Sequence, residues 1–266
     1  CSAATNKHLL CVYDKPMIYY PLSIFMLLGI RDIGLVCTSS ARETFSALLG
    51  DGSKFGLSIS YVVQDQPKGV IDGILASYSF IGDSDFMVIL GDNLFWGNGL
   101  VDKLQKRMDG FDGGVIFSQF VSESNAFGVV ELDNSGAPVS IVEKPLLNGP
   151  GNAISGLYIY SNWVIDLAKE QVPSGRGELE ISDLNQNLLS MGKLSVETLG
   201  RGICWLDMGT VEGLSDAAAF IQAVQTRQDS MIGSLEEIAV QKKWITVDEV
   251  FSQLEAFSGS GYGTFL

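Results

Sequence analysis

The alternation of two kinds of segment along the first half of this chain constrains its fold more than any other feature. Short runs rich in Val, Ile, Leu and Phe are separated by segments whose apolar residues recur with the period of a helix. The runs are nearly continuous in apolar residues, which is typical of parallel strands buried on both faces. The alternation therefore predicts βαβ units and a doubly wound parallel sheet. The predicted strands are 33–37, 59–63, 86–90 and 115–120, and the predicted helices are 21–30, 41–49, 69–80 and 100–108.

After about residue 120 the pattern changes, because strand-like segments follow one another with short or irregular connections. This change predicts a mixed sheet with an inserted portion, some of its strands antiparallel. A long helical pattern follows, and we expect residues 226–266 to form a small helical appendage to an α/β domain of residues 1–225. The predicted strands here are 127–132, 139–143, 154–160 and 194–199, and the predicted helices are 163–171, 181–191 and 210–228.

Composition excludes several classes of function. The chain has 266 residues, 46% of them hydrophobic and 18% charged, which is typical of a globular protein. Its formal charge of −14 argues against nucleic acid and anionic membranes as partners. No signal peptide and no run of about eighteen apolar residues occurs, so we expect a cytoplasmic protein without a membrane span. With His8 as the single histidine, catalysis by a Ser-His-Asp relay or a multi-histidine metal site is disfavoured.

Two carboxylates stand where strands leave the predicted core. Asp92 follows the strand 86–90, and Asp207 follows an apolar run and precedes Gly209 and Thr210, which open a helix. In open parallel sheets ligands bind at the carboxyl ends of the strands, so the pair could hold a shared Mg²⁺. The alternatives are that Asp92 belongs to an ordinary turn and that Asp207 is an acid favoured at a helix start.

Two further segments have residue types suited to a phosphorylated ligand. Lys144 ends a strand beside Pro145 and offers a compact cation for phosphate, although strand-end lysines are commonly only solvated. Gln64 and Gly69 flank a turn before a helix. A glutamine amide there could read the edge of a base, and the glycine would let the backbone approach a flat ring.

Taken together, seven short motifs resemble those of the sugar nucleotidylyltransferases, and among them the glucose-1-phosphate thymidylyltransferases. They occur in the order and at the spacing of that family, and the first motif favours it over the uridylyl and cytidylyl relatives. The motifs are residues 12–22, 49–52, 90–93, 127–131, 143–145, 176–181 and 205–207.

The resemblance implies a Rossmann-like, mostly parallel mixed sheet flanked by helices, the nucleotide-diphospho-sugar transferase fold. It implies that the oxygen of glucose 1-phosphate attacks the α-phosphorus of dTTP, giving dTDP-glucose and pyrophosphate, with Mg²⁺ as cofactor and a homotetramer as the assembly. By matching motif, Asp92 and Asp207 would hold Mg²⁺, with Asp92 also in contact with the nucleotide. Lys7 and Lys144 would grip phosphate, and Gln64 and Gly69 would face thymine. Sugar and sugar phosphate would be contacted by Gly128, Glu143, Tyr158 and Arg176.

The departures from the family pattern leave an alternative open. The family opens with a strand and a glycine-rich loop that binds the triphosphate, which about eighteen residues upstream would supply. The alternative is therefore a truncated or non-catalytic relative that keeps the sugar cleft or subunit contacts. Retention of both carboxylates and both lysines favours an active enzyme. Asp72 stands where the family has glutamine, and we expect its carboxylate to weaken base or ribose recognition. The other departures are His8, Gly73, Trp96, Phe127 and Met208.

Overall fold

The computed structural model describes residues 6–66, 68–228, 230–252 and 261–266, and its strands and helices follow the predicted alternation closely. The strands are β1 (Cys11–Val12), β2 (Lys15–Pro16), β3 (Asp32–Cys37), β4 (Ser58–Val63), β5 (Phe86–Ile89), β6 (Asn93–Gly97), β7 (Gly114–Val121), β8 (Gly128–Leu132), β9 (Pro138–Glu143), β10 (Gly151–Tyr160), β11 (Leu194–Thr198) and β12 (Ile203–Asp207). The helices are α1 (Tyr19–Leu28), α2 (Ser39–Leu49), α3 (Val70–Ala76), α4 (Tyr78–Ile81), α5 (Leu100–Met108), α6 (Val164–Lys169), α7 (Ile181–Ser190), α8 (Val211–Gln228), α9 (Leu235–Gln241), α10 (Val247–Phe251) and α11 (Gly261–Phe265).

Strand β10 organises a mixed sheet, as the sequence predicts. It pairs antiparallel with β5, β7 and β8, and the order of the main path is β11-β7-β10-β8-β9. Parallel pairing is less extensive than the sequence suggests, because in the described chain it occurs only between β3 and β4 and between β7 and β11. One reason is that the chain between β7 and β10 contains the strands β8 and β9 but not the crossover helix that parallel pairing needs.

A groove of about 1300 Å³ lies between β3 and β5. It is lined by apolar side chains of both strands, including Leu35 and Ile89. Within the described residues, β3 pairs only with β4 and β5 only with β10, so each presents an open edge here. The additional strand expected upstream stays a prediction.

The predicted helix 69–80 is in fact two helices, α3 and α4. The break falls at Ser77, whose hydroxyl donates to the carbonyl oxygen of Gly73 at 2.8 Å. Such a bond competes with the regular helix pattern, and it is not visible as periodicity. Among the helices that the structure describes, none combines the length and the apolarity that crossing a bilayer requires.

Residues of α9 and α10 share a core with the N-terminal elements. Leu235, Ile238 and Val250 belong to the same buried cluster as side chains of α1, α2, β3 and β4. Helix α8 continues through residue 225, where the sequence predicts a division. The division into residues 1–225 and 226–266 therefore stays a proposal about organisation.

Candidate active site

The pairing of β6 with β12 brings the two predicted metal carboxylates together. Asp207 is in register with Asn93, so Asp92 lies beside the end of β12, and the Met208 amide donates to the Asp92 carbonyl at 2.8 Å. A Cβ atom at Gly209 would lie 3.2 Å from Oδ2 of Asp207 and 3.5 Å from Oδ2 of Asp92. Both carboxylates thus converge on the same small space, as the sequence suggests.

From the sequence, Asn93 was named only as part of the motif 90–93, and strand β6 was not predicted. The structure gives its side chain two contacts: Nδ2 donates to Oδ1 of Asp92 at 3.0 Å, and Oδ1 accepts from Nε1 of Trp205 at 2.5 Å. Asn93 therefore orients the Asp92 carboxylate. Gly91-Asp92-Asn93 consists of common turn residues, so the sequence predicts a turn there and gives no sign of the strand that begins at Asn93.

Charged neighbours drive the pKa values of the two carboxyl groups apart. Burial acts to raise the pKa of Asp92, but the hydrogen bond and positive charge of Lys7 outweigh it, so the pKa lies below its ordinary value. Burial and the negative charge of Asp92 together raise the pKa of Asp207 to about 6. The pair is short of positive charge, a condition that a bound cation relieves.

Lys7 contacts the carboxylate pair directly. Its Nζ donates to Oδ2 of Asp92 at 2.5 Å, from a short 3-10 turn that Asn6 caps by accepting from the His8 amide. The His8 ring packs against Gly91, where a Cβ atom would lie 3.0 Å away. Burial lowers the pKa of His8, as expected for a ring packed against the backbone.

A cavity of about 250 Å³ lies beside the two carboxylates, and most of the predicted site residues line it. Lys7 reaches its edge through Asp92, whereas Gln64 lies in the larger groove between β3 and β5. Gly69 lines both spaces and so connects them. The predicted residues around the smaller cavity are Gly69, Asp92, Gly128, Glu143, Lys144, Tyr158, Arg176 and Asp207.

Glu143 is held on the floor of this cavity by two partners. Its Oε2 accepts from the Ser182 hydroxyl at 2.5 Å, and its Oε1 accepts from Arg176 at 3.3 Å. A Cβ atom at Gly128 would lie 2.7 Å from Oγ of Ser182, so this approach requires a glycine. Sequence reasoning missed Ser182, because nothing local connects the start of α7 with a glutamate 39 positions earlier.

The cations of the cavity differ in how they are paired. Arg176 donates to Glu180 at 2.8 Å and lies near Glu143 and Glu178, and these carboxylates raise its pKa. Lys144 is exposed and follows β9 with a φ of 43°, an uncommon conformation outside glycine. Tyr158 is buried, stacks on Tyr160 with ring centroids 6.0 Å apart, and burial raises its pKa.

The Gln64 amide is anchored in the turn that precedes α3. Its Nε2 donates to the Gly69 carbonyl at 3.1 Å and to Oδ2 of Asp72 at 2.8 Å. Gly69 has a φ of +98°, and a Cβ atom there would lie 2.4 Å from the Leu179 carbonyl oxygen. This turn therefore packs against the segment that precedes α7.

The donor set fits an oxygen-preferring divalent cation. No group of three or more histidine, cysteine or carboxylate ligands occurs among the residues that the structure describes. Mg²⁺ needs fewer, because it takes one or two carboxylates and completes its shell with phosphate oxygens and water. Carboxylates outnumber cations here, five to three: Asp92, Glu143, Glu178, Glu180 and Asp207 against Lys7, Lys144 and Arg176. An anionic ligand would need additional positive charge.

Comparison with known proteins gives a consistent result. A model of the nucleotidyl transferase family matches residues 1–224. Glucose-1-phosphate thymidylyltransferase of Neisseria meningitidis serogroup A is 44% identical over 261 residues, covering 98% of this chain and 91% of the relative. The enzyme of the same name from Mycobacterium tuberculosis H37Rv is 43% identical, covering 98% and 90%.

Solved structures show the same fold. A Bacillus anthracis protein described by that enzyme name, crystallised with a sucrose, superposes with a TM-score of 0.76 at 33% identity, covering 82% of this chain and 87% of that one. A UDP-glucose pyrophosphorylase complexed with UDP-glucose superposes with a TM-score of 0.72 at 21% identity, covering 82% and 90%. The predicted α/β fold with a mixed sheet flanked by helices is thereby confirmed.

Proposed function

The chain belongs to the nucleotidyl transferase family, and from this premise we propose that it joins dTTP to glucose 1-phosphate, giving dTDP-glucose and pyrophosphate. The observation that carries the proposal is that Asp92, Asp207 and Lys144 line one cavity and Lys7 bonds to Asp92, in a chain 44% identical to an enzyme of that name. Two carboxylates and two lysines are the groups that phosphoryl chemistry needs.

In this reaction an oxygen of the sugar phosphate forms a bond to the α-phosphorus while the bond to the leaving pyrophosphate breaks. Catalysis depends on positioning and on neutralising charge, since no covalent intermediate is required. We assign Lys7, beside Asp92, to the charge on the α-phosphate, and Lys144 to the sugar phosphate. Glu143, fixed by Ser182 and Arg176, would accept hydrogen bonds from sugar hydroxyls.

The remaining assignments also follow from the matching motifs. Asp92 and Asp207 would hold Mg²⁺, which when bound supplies positive charge between the two phosphorylated substrates. Gly128 and Tyr158 would contact the sugar and Arg176 its phosphate region, and Gln64 and Gly69 would face the base. The three carboxylates around Arg176 support a role in placing Glu143 as well.

The proposal is tested with the complete gene product, Mg²⁺, dTTP and glucose 1-phosphate, by measuring pyrophosphate and identifying the nucleotide sugar. We expect product, and we expect Asp92→Asn to lower kcat/KM by about 100-fold or more. Asp216→Asn, on the exposed face of α8, is the matched control and should leave kcat/KM unchanged. Absence of product would favour the non-catalytic alternative, and a near-normal rate of Asp92→Asn would remove its assigned role.

We further propose that the protein is a homotetramer, as the family resemblance implies, and that it is cytoplasmic. Light scattering after gel filtration tests the assembly, because a tetramer has four times the mass of one chain. Fractionation of the source cells tests the location. A monomer, or recovery with the membrane fraction, would contradict the respective proposal.

A further inference from the structure

Asp72 makes a contact that its family context does not predict. Its Oδ2 accepts a hydrogen bond of 2.8 Å from Nε2 of Gln64, the residue assigned to the base. The same nitrogen donates to the Gly69 carbonyl at 3.1 Å. The Asp72 carboxylate is thus turned toward a protein amide, and the weakening of base or ribose recognition expected from the sequence stays a prediction.

These two contacts determine which way the Gln64 amide faces. An amide can rotate by 180° and exchange its oxygen and nitrogen, so its orientation follows from its partners. Here both partners, a carbonyl oxygen and a carboxylate, can only accept, and the reversed amide would place oxygen against two oxygens. The NH₂ group must therefore face Gly69 and Asp72.

The consequence is a single hydrogen-bond acceptor presented to the groove. Within the described chain, Oε1 of Gln64 has no hydrogen-bond partner, and it lies 3.6 Å from where a Cβ atom of Gly73 would be. Gln64, Gly69 and Gly73 all line the groove between β3 and β5. The small residue at position 73 leaves room beside this oxygen for a flat ring.

We propose that Asp72 fixes the orientation of the Gln64 amide and thereby makes the site select a pyrimidine with an N3–H donor, thymine or uracil, over cytosine. This inference rests on the proposed function for the place where the base binds. Thymine and uracil present N3–H to Oε1, whereas cytosine presents an unprotonated N3, a second acceptor. Asp72 cannot donate, so Gln64 cannot turn its NH₂ toward cytosine without losing both bonds. Asp72 is a positioning residue, since it acts through Gln64.

The test measures how tightly the complete gene product binds dUTP and dCTP. These nucleotides differ only at the edge of the base that would face Gln64. Equilibrium binding is measured for the wild type, Asp72→Asn and Asp72→Ala. In Asp72→Asn the new side chain can present either an oxygen or an NH₂ group, so a turned Gln64 amide would lose only its hydrogen bond to the Gly69 carbonyl. We expect the wild-type preference for dUTP, taken as the ratio of the two Kd values, to fall about 10-fold in Asp72→Asn. In Asp72→Ala the Gly69 carbonyl alone holds the amide, and a smaller fall is expected.

Asp65→Asn is the matched control, because it removes the same charge from the same turn while its carboxylate contacts Ser39 instead. Its Kd ratio should equal that of the wild type. A merely structural role of Asp72 would weaken both nucleotides equally and leave the ratio unchanged, and that result, like a wild type without preference, overturns the inference. The synthesis assay separates this inference from the proposed function. If the ratio of Kd values changes in Asp72→Asn but no dTDP-glucose forms, only the proposed function is refuted. If dTDP-glucose forms but the ratio of Kd values is unchanged, only the role of Asp72 is refuted.

Discussion

Asp92 and Asp207 face the same small space, yet among the residues that the structure describes only Asp92 has a cation in contact. Lys7 lowers the pKa of Asp92, whereas burial and the negative charge of Asp92 raise the pKa of Asp207 from 3.8 to about 6. A raised carboxyl pKa means that the folded state binds its proton more tightly than the unfolded state. This contribution to stability is therefore fully present below pH 4 and is lost as the pH rises through 6.

Asp207→Asn should accordingly stabilise the protein at neutral pH when divalent cations are chelated. The amide resembles the protonated acid, so the gain at pH 7.5 should be about 1 kcal/mol after allowance for solvent screening, and should vanish near pH 4. Urea unfolding at both pH values, with Asp216→Asn as control, measures it. Mg²⁺ should stabilise the wild type and leave Asp207→Asn nearly unaffected. Equal stability of variant and wild type at pH 7.5 would contradict the like-charge explanation.

Gly128 determines how closely side chains can pack around Glu143 in the smaller cavity. A Cβ atom there would lie 2.7 Å from Oγ of Ser182 and 3.2 Å from Oε2 of Glu143, so Gly128→Ala must displace the hydroxyl that orients Glu143. We expect the KM for glucose 1-phosphate to rise about 10-fold, which corresponds to the loss of the free energy of roughly one hydrogen bond. The KM for dTTP should stay within about twofold. Steady-state kinetics with each substrate varied tests this. Gly149→Ala, where no atom lies within 4 Å, is the control, and equal rises in both KM values would argue against a sugar-side role.

At the scale of elements, the junction between β12 and α8 places Asp207. Gly213 lies in the first turn of α8, and a Cβ atom there would be 2.2 Å from the carbonyl oxygen of Asp207. Helix propensity alone predicts that Gly213→Ala stabilises by up to about 1 kcal/mol. The contact with backbone opposes this, and overpacking of this kind costs about 1–3 kcal/mol.

We therefore expect Gly213→Ala to lower the free energy of unfolding, against its helix propensity, and to reduce kcat by moving Asp207. Urea unfolding and the synthesis assay measure the two effects. Gly175→Ala is the control, because Gly175 is exposed and has no atom within 4 Å of the added Cβ. If Gly213→Ala is more stable than the wild type and fully active, the junction between β12 and α8 accommodates the added Cβ atom without moving Asp207.

For the whole molecule, the sequence predicts best what local periodicity encodes. Helix α5 was predicted to the residue, and β3, β4 and β9 to within one residue of their bounds. Contacts between distant segments leave no such local trace. The pairing of β6 with β12, the hydrogen bond from Ser182 to Glu143, and the hydrogen bond from the Gln64 amide to Asp72 each depend on tertiary packing. The candidate site residues were named from motifs and their roles stay predictions, whereas their mutual orientation was not predicted from the sequence.

The free energy gained by burying side chains of residues 226–266 indicates whether this segment is part of the main fold. Five of their side chains, those of Leu235, Ile238, Ala239, Ile245 and Val250, are buried in one cluster with α1, α2, β3 and β4. At about 1.5–3 kcal/mol for each large apolar side chain, their burial stabilises the fold by on the order of 8 kcal/mol. That is comparable to the entire stability of a typical domain, about 5–15 kcal/mol.

Removal of everything after residue 228 should therefore prevent cooperative folding, even though the site residues lie before that point. Circular dichroism and urea unfolding of the truncated and complete chains test this. Because the truncated chain is expected not to fold, two point substitutions in α9 provide a second test. Ile238→Ala should lower the free energy of unfolding by about 2–4 kcal/mol. Gln241→Ala, on the exposed face, should lower it by less than about 0.5 kcal/mol. If residues 1–228 instead unfold cooperatively at an unchanged urea midpoint, the C-terminal helices are a separable appendage. If they do not, the helices complete the core that supports β3, β4 and the groove beside Gln64.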